Sequence, residues 1–210
     1  MEIISSLVVV FLVAVLTNNV ILNTGYGICS YIGVSKNRDS SIGMGFALVF
    51  VTLMASVVSY FLQMLLVWLE IEFMQTICFI LVIASLVQLV EMIVKKFIPS
   101  LYESLGIYLP LITTNCVVLY VTKQICNVPG IVESMGLNPD IISNGGFDFL
   151  FAMVYALGIA AGYFLVIFVF STIREKIDHA PVPKGLAGAG IGLITTAIMA
   201  LALSGLMGVI

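Results

Sequence analysis

Residues 3–34 read IISSLVVVFLVAVLTNNVILNTGYGICSYIGV, 32 positions without a charged side chain. One helical crossing of a bilayer needs about 20 apolar residues, so this run is too long for one span and has no loop that would allow two. It is interrupted by Asn18, Asn19, Asn23, Gly25 and Gly27. The pattern predicts a broken helix whose second part stays within the membrane. Backbone that leaves a helix at that depth survives only where it is buried in protein or lines a cavity. The rest of the chain agrees: 61% of the 210 residues are hydrophobic and 9% are charged, with a mean hydropathy of +1.22. Soluble domains carry about a quarter charged residues, which excludes a water-soluble enzyme and a disordered chain. With 8 Lys and Arg against 11 Asp and Glu, no basic surface for nucleic acid exists. The partner that this composition requires is a lipid bilayer.

Six apolar stretches are predicted to span it, at 3–22, 43–69, 73–94, 105–121, 149–173 and 186–210. They are continuous rather than alternating, so the expected fold class is an all-α membrane protein, not a barrel. Glu2 is the only early charge where a secretory leader carries a basic region, so the first stretch reads as a retained span. Lys36, Arg38, Lys95, Lys96, Arg174, Lys176 and Lys184 fall on one side of the membrane and Lys123 on the other. Positive loops stay cytoplasmic. Both termini are therefore expected outside, with Glu70, Glu72, Glu133 and Asp140 facing outward.

Spans 1 and 4 share a pattern. Thr17-Asn18-Asn19-Val20-Ile21-Leu22 matches Thr114-Asn115-Cys116-Val117-Val118-Leu119 at an offset of 97 residues. Span 1 enters from outside and span 4 from the cytoplasm. The chain then forms a single integral membrane domain of two inverted three-helix repeats, approximately 1–96 and 97–210, with spans 1 and 4 both broken. In span 4 the interruption comprises Pro110, Thr113, Thr114 and Asn115. Each break also carries a cysteine beside its asparagines, Cys29 in the first and Cys116 in the second. Two thiolates are half of an iron–sulfur ligand set, so a cluster here needs a second chain with two more. Cys78 and Cys126 read as small buried hydrophobes.

The run Leu105-Gly106-Ile107-Tyr108-Leu109-Pro110-Leu111-Ile112-Thr113-Thr114-Asn115-Cys116 resembles the LGIxLPLITTNC signature of the A-type membrane subunits of the Rnf electron-transport family. That family also holds the E-type subunits and the paired membrane subunits of the sodium-pumping quinone reductase. The resemblance includes Asn18-Asn19, Gly27-Ile28-Cys29, Gly33-Val34-Ser35-Lys36, Gly43-Met44-Gly45, Val90-Glu91-Met92 and Ile173-Arg174-Glu175. The charge split favours the A-type arrangement over the oppositely oriented E-type. The resemblance implies a subunit, without a complete active site of its own, of a ferredoxin:NAD oxidoreductase that couples electron flow to Na+ or H+ translocation. It also implies one [2Fe–2S] cluster shared with a homologous E-type subunit of opposite topology. Carried over by motif, Cys29 and Cys116 are the two ligands from this chain, and the amides of Asn18, Asn19 and Asn115 surround them. The implied partners are the B-, C-, D-, E- and G-type subunits of the Rnf complex, and the implied location is a bacterial or archaeal cytoplasmic (inner) membrane. The alternatives are a subunit of a Na+-pumping NADH:quinone reductase and a self-contained inverted-repeat transporter, which would move its substrate in liposomes without other subunits.

Gly158-x-x-x-Gly162 and Gly188-x-x-x-Gly192 are read as close helix packing rather than nucleotide fingerprints. Glu91 and Lys95 form an i,i+4 pair at the end of span 3. Glu103, Arg174 and Glu175 are candidate docking contacts for a cytoplasmic subunit, and His179 stands without partners.

Overall fold

A computed structural model of the chain describes residues 2–16, 18–35, 38–69, 74–97, 111, 114–126, 130, 148–178 and 188–207. Among the described residues the regular structure is helical, with no strand: α1 (Glu2–Leu16), α2 (Ile28–Val34), α3 (Arg38–Trp68), α4 (Gln75–Phe97), α5 (Cys116–Ile125), α6 (Asp148–Asp178) and α7 (Ala189–Met207). The first half of the signature at 105–110, Thr113, Lys36, Glu70, Glu72, Glu103, Glu133, Asp140, His179 and Lys184 lie outside the described residues.

Helices α3 and α6 have 31 residues each, about 46 Å at 1.5 Å per residue. Both are long and apolar enough to cross a membrane. They outrun the apolar stretches that marked spans 2 and 5, because hydropathy marks where lipid ends rather than where the helix ends. Arg38 opens α3, while Arg174, Glu175 and Lys176 still belong to α6. Polarity is arranged inside out. Trp68 is 80% exposed and Leu201 74%, alongside Phe46, Phe61, Met64 and Leu81. Asn19, Ser30, Ser56, Asn115, Thr122 and Arg174 are buried. A continuous apolar exterior over an interior with scattered polar groups suits a hydrocarbon surrounding and not water.

The core centres on α6, which packs chiefly against α3 and α1. Its sequence is apolar on most sides, the inner ones packed against other helices and the outer ones, such as Leu157, Leu165 and Phe168, exposed. Close approach depends on glycine at two contacts. Gly45 of α3 lies directly beneath the Phe164 ring, leaving no room for a Cβ. At the α1 contact, a Cβ on Gly158 would meet the Ala14 Cβ at 2.7 Å, and one on Gly162 would meet the Val15 carbonyl oxygen at 3.0 Å. Gly158-x-x-x-Gly162 is thus a close-packing motif. The second glycine pair is not: among the described residues Gly188 has open space around it and Gly192 only ordinary contact with Phe170 at 3.5 Å. Gly188 instead supplies the φ of +95° at which the chain enters α7.

Gly162→Val forces two backbones apart. It is expected to destabilise the detergent-solubilised protein by about 1–3 kcal/mol, read as a lowered thermal midpoint. Gly205→Ala, in open space on α7, should leave that midpoint unchanged or slightly raised.

Candidate functional site

Helix α1 stops at Leu16, where Asn18 and Asn19 offer the backbone amide-bearing side chains in place of further helix. Several amides in the following turn have backbone acceptors. Asn18 N–H donates to the Val13 carbonyl at 2.8 Å, Asn23 to Asn19 at 2.9 Å, Gly25 to Ile21 at 3.1 Å and Tyr26 to Val20 at 3.1 Å. The Asn19 side chain anchors the turn in three directions. Its Oδ1 accepts from Ile21 N–H at 3.1 Å, and its Nδ2 donates to the carbonyls of Val15 (3.3 Å) and Gly162 (3.1 Å). The chain then passes through Gly25 (φ +73°) and Gly27 (φ +87°) into α2. At Gly27 glycine is required twice over, because a Cβ would also lie 2.6 Å from Val117 Cγ2 and 3.0 Å from the Tyr163 ring.

The second break ends at Asn115, which caps α5. Its Oδ1 accepts from Val117 N–H at 3.0 Å. The offset of 97 in the sequence pairs Asn18 with Asn115, but the capping geometry pairs Asn19 with Asn115. Each accepts the amide two residues ahead, and the carbonyl of each receives the amide four residues ahead. The structural offset is therefore 96, since a cap is defined by which amides it must satisfy, not by neighbouring apolar letters.

The two breaks meet at sulfur. Gly27 N–H, left over at the start of α2, donates to Cys116 Sγ at 2.9 Å. Cys29, the second residue of α2, lies near enough to Cys116 for the two thiols to influence each other electrostatically. Behind them lies a polar knot. Ser30 Oγ donates to the Gly27 carbonyl at 3.0 Å and accepts from Asn115 Nδ2 at 3.2 Å. With its only proton used, Ser30 must also accept from the Tyr163 hydroxyl at 2.8 Å. Ser30, Asn115 and Tyr163 are buried, whereas Cys29 is exposed on the surface of the chain. A cavity of about 230 Å³ opens beside Cys116, between α5 and the Ile80, Ile83 and Ala84 face of α4.

Of the residues singled out in the sequence, Cys29, Cys116 and Asn115 are brought together. Asn19 is committed to α1 and α6, and Asn18 contributes its backbone amide to the end of α1. Cys78 is half-buried against the core, and Cys126, at the far end of α5, donates to the Thr122 carbonyl at 3.2 Å. Arg174 is buried rather than available for docking, while Glu175 is half exposed and paired with Arg38 at 2.9 Å. Ser30 and Tyr163 were not apparent from sequence, because their relation to the thiols is one of approach between α2 and α6. Among the described residues no three His, Cys, Asp or Glu side chains converge. A thiol pair of this kind could serve as two of the four thiolates that an iron–sulfur cluster takes. Its chemistry fits that role: two soft ligands at an exposed edge, with a backbone amide already directed at one sulfur.

A family profile described as "Rnf-Nqr subunit, membrane protein" matches residues 7–210. The A-type subunit of the Na(+)-translocating ferredoxin:NAD(+) oxidoreductase complex of Acetobacterium woodii is 41% identical over 97% of both chains. The A-type subunit of the ion-translocating oxidoreductase complex of Azotobacter vinelandii is 42% identical over 98% of both. That of Glaesserella parasuis is 44% identical over 93% of both.

Gly27→Ala puts a side chain into left-handed backbone, costing about 1–2 kcal/mol, and into contact with Val117. It should lower the thermal midpoint and, by weakening the N–H contact that favours the Cys116 thiolate, slow the labelling of that residue by maleimide in the isolated chain. Unchanged labelling would show that Gly27 does not hold this sulfur.

Proposed function

The chain belongs to the Rnf-Nqr family of membrane subunits, and from that premise we propose that it is the A-type subunit of an ion-translocating ferredoxin:NAD oxidoreductase, holding half of an intramembrane [2Fe–2S] cluster. The observation that carries the reading is the meeting of Cys29 and Cys116 at the junction of two helix breaks, with Gly27 N–H on one sulfur and one edge open to a partner. The names of the relatives support membership in such a complex.

In this reading Cys29 and Cys116 supply two thiolates and a homologous E-type subunit of opposite topology supplies two more. The cluster, when bound, provides a one-electron relay within the membrane. The residues of this chain fix and shield that relay. Gly27 N–H stabilises charge on Cys116, Asn115 sets the start of α5, and Ser30 ties α2 to both. Asn19 keeps the first break closed against α6. The chain forms one integral domain of six crossings in two inverted repeats, with both termini outside. The seven-to-one division of its cations supports that orientation. The translocated ion is Na+ or H+, and the remaining partners are the B-, C-, D- and G-type subunits.

The decisive experiment is iron analysis and EPR on the purified complex. Cys29→Ser and Cys116→Ser should each abolish the membrane [2Fe–2S] signal and ferredoxin-dependent NAD reduction. Cys78→Ser and Cys126→Ser should leave both intact. Retention of signal and electron transfer in the first pair would refute the assignment. The orientation has its own check: alkaline phosphatase fused after Ile210 should be active in intact cells, and an inactive fusion would place the C-terminus inside.

A further inference from the structure

Helix α6 carries Tyr163, Ile167, Phe170 and Arg174 at spacings of four, three and four, which places them on one stripe. All four are buried, and three of them grip α2 along its length. Tyr163 bonds Ser30, Phe170 stacks on Tyr31 with ring centroids 4.2 Å apart, and Arg174 reaches the far end. There its Nη1 donates to the Ile32 carbonyl at 2.7 Å and to Ser35 Oγ at 2.8 Å. The Ile32 carbonyl is among those that a helix terminus leaves unsatisfied.

A neutral donor would meet both of these oxygens. What they leave unexplained is the charge. Arg174 is only 4% exposed, the two partners just named are uncharged, and its Nε is buried with no hydrogen-bond partner. Among the described residues no acidic side chain pairs with it, and a buried cation without a counter-charge is costly. The negative charge nearest along α2 is the one that Cys29 would carry as a ligand at the opposite end. The seven residues of α2 separate them by about 10 Å.

We propose that Arg174 is a positioning residue for the Cys29–Cys116 centre: it fixes the far end of α2 and its positive charge stabilises the reduced state of the group those thiolates hold. The inference rests on the cluster assignment above. A unit charge at that range, in an effective dielectric of about 20, changes a one-electron equilibrium by on the order of tenfold. This corresponds to ~59 mV.

The test is an EPR-monitored redox titration of the whole purified complex. Arg174→Gln removes the charge, whereas Ser35→Asp leaves it in place and pairs it. Either variant should lower the reduced-to-oxidised ratio at a fixed potential by about tenfold, that is, make the midpoint more negative. Arg174→Lys, which keeps the charge, should stay within about twofold of wild type. A loaded complex of either neutralising variant that titrates like wild type overturns the proposal. If both neutralising variants fail to assemble while Arg174→Lys assembles normally, the requirement for a cation stands. Failure of all three reduces Arg174 to a structural residue and overturns it. Absence of the cluster signal from the wild-type complex would instead defeat the cluster assignment, so the two failures are distinguishable.

Discussion

A helix that ends inside an apolar surrounding leaves amides and carbonyls that water cannot reach, and each must find a partner within the protein. The end of α1 at Leu16 imposes that constraint on the chain, and hydrogen bonds within the break meet much of it. Backbone acceptors take the amides of Asn18, Asn23, Gly25 and Tyr26, and the Asn19 side chain takes that of Ile21. The last amide, that of Gly27, goes to a sulfur in another break. The demand for a hydrogen-bond partner thus creates the thiol site. Without the start of α5 presenting Cys116, the Gly27 amide would lose this partner at the exit of the break.

The same constraint explains why α6 is central. A broken segment cannot hold itself, because seven residues of α2 are too few for a stable isolated helix. The long, uninterrupted α6 supplies the rigidity. It accepts the Asn19 amide at the Gly162 carbonyl, allows α1 to approach at Gly158, and binds α2 through Tyr163, Phe170 and Arg174. One helix therefore bears on the geometry of two thiols, Cys29 through its neighbours Ser30 and Tyr31 on α2 and Cys116 through Ser30 and Asn115. An electron carrier benefits from such a frame, since fixed dipoles around a charge need not reorganise when that charge changes.

Exposure divides the molecule into two kinds of surface. Much of the exterior is large aliphatic and aromatic side chains, which suit lipid. Cys29 is also exposed, but it sits over buried polar groups that are already satisfied. On the proposed reading, this exposed thiol is where a second subunit would complete the ligand set. The arrangement accounts for a subunit that carries apparatus for redox chemistry without completing it.

Much of this was readable in one dimension. Hydropathy identifies a helical membrane protein, and the asparagines and glycines at 18–27 locate the first break, because amide side chains and left-handed glycines compete with helix wherever they occur. The two cysteines beside the breaks are likewise apparent from their neighbours. Register and approach are not. The sequence pairs Asn18 with Asn115, whereas hydrogen bonding pairs Asn19 with Asn115, since apolar letters at 20–22 and 117–119 look alike at either offset. Arg174 reads as a surface charge like its neighbours Glu175 and Lys176, yet it is turned inward to the end of α2. Local chemistry determines where a helix must break and which side chains cap it. Only packing decides which sulfur receives the spare amide and which cation faces inward, because those partners are set by how α2, α5 and α6 meet in space.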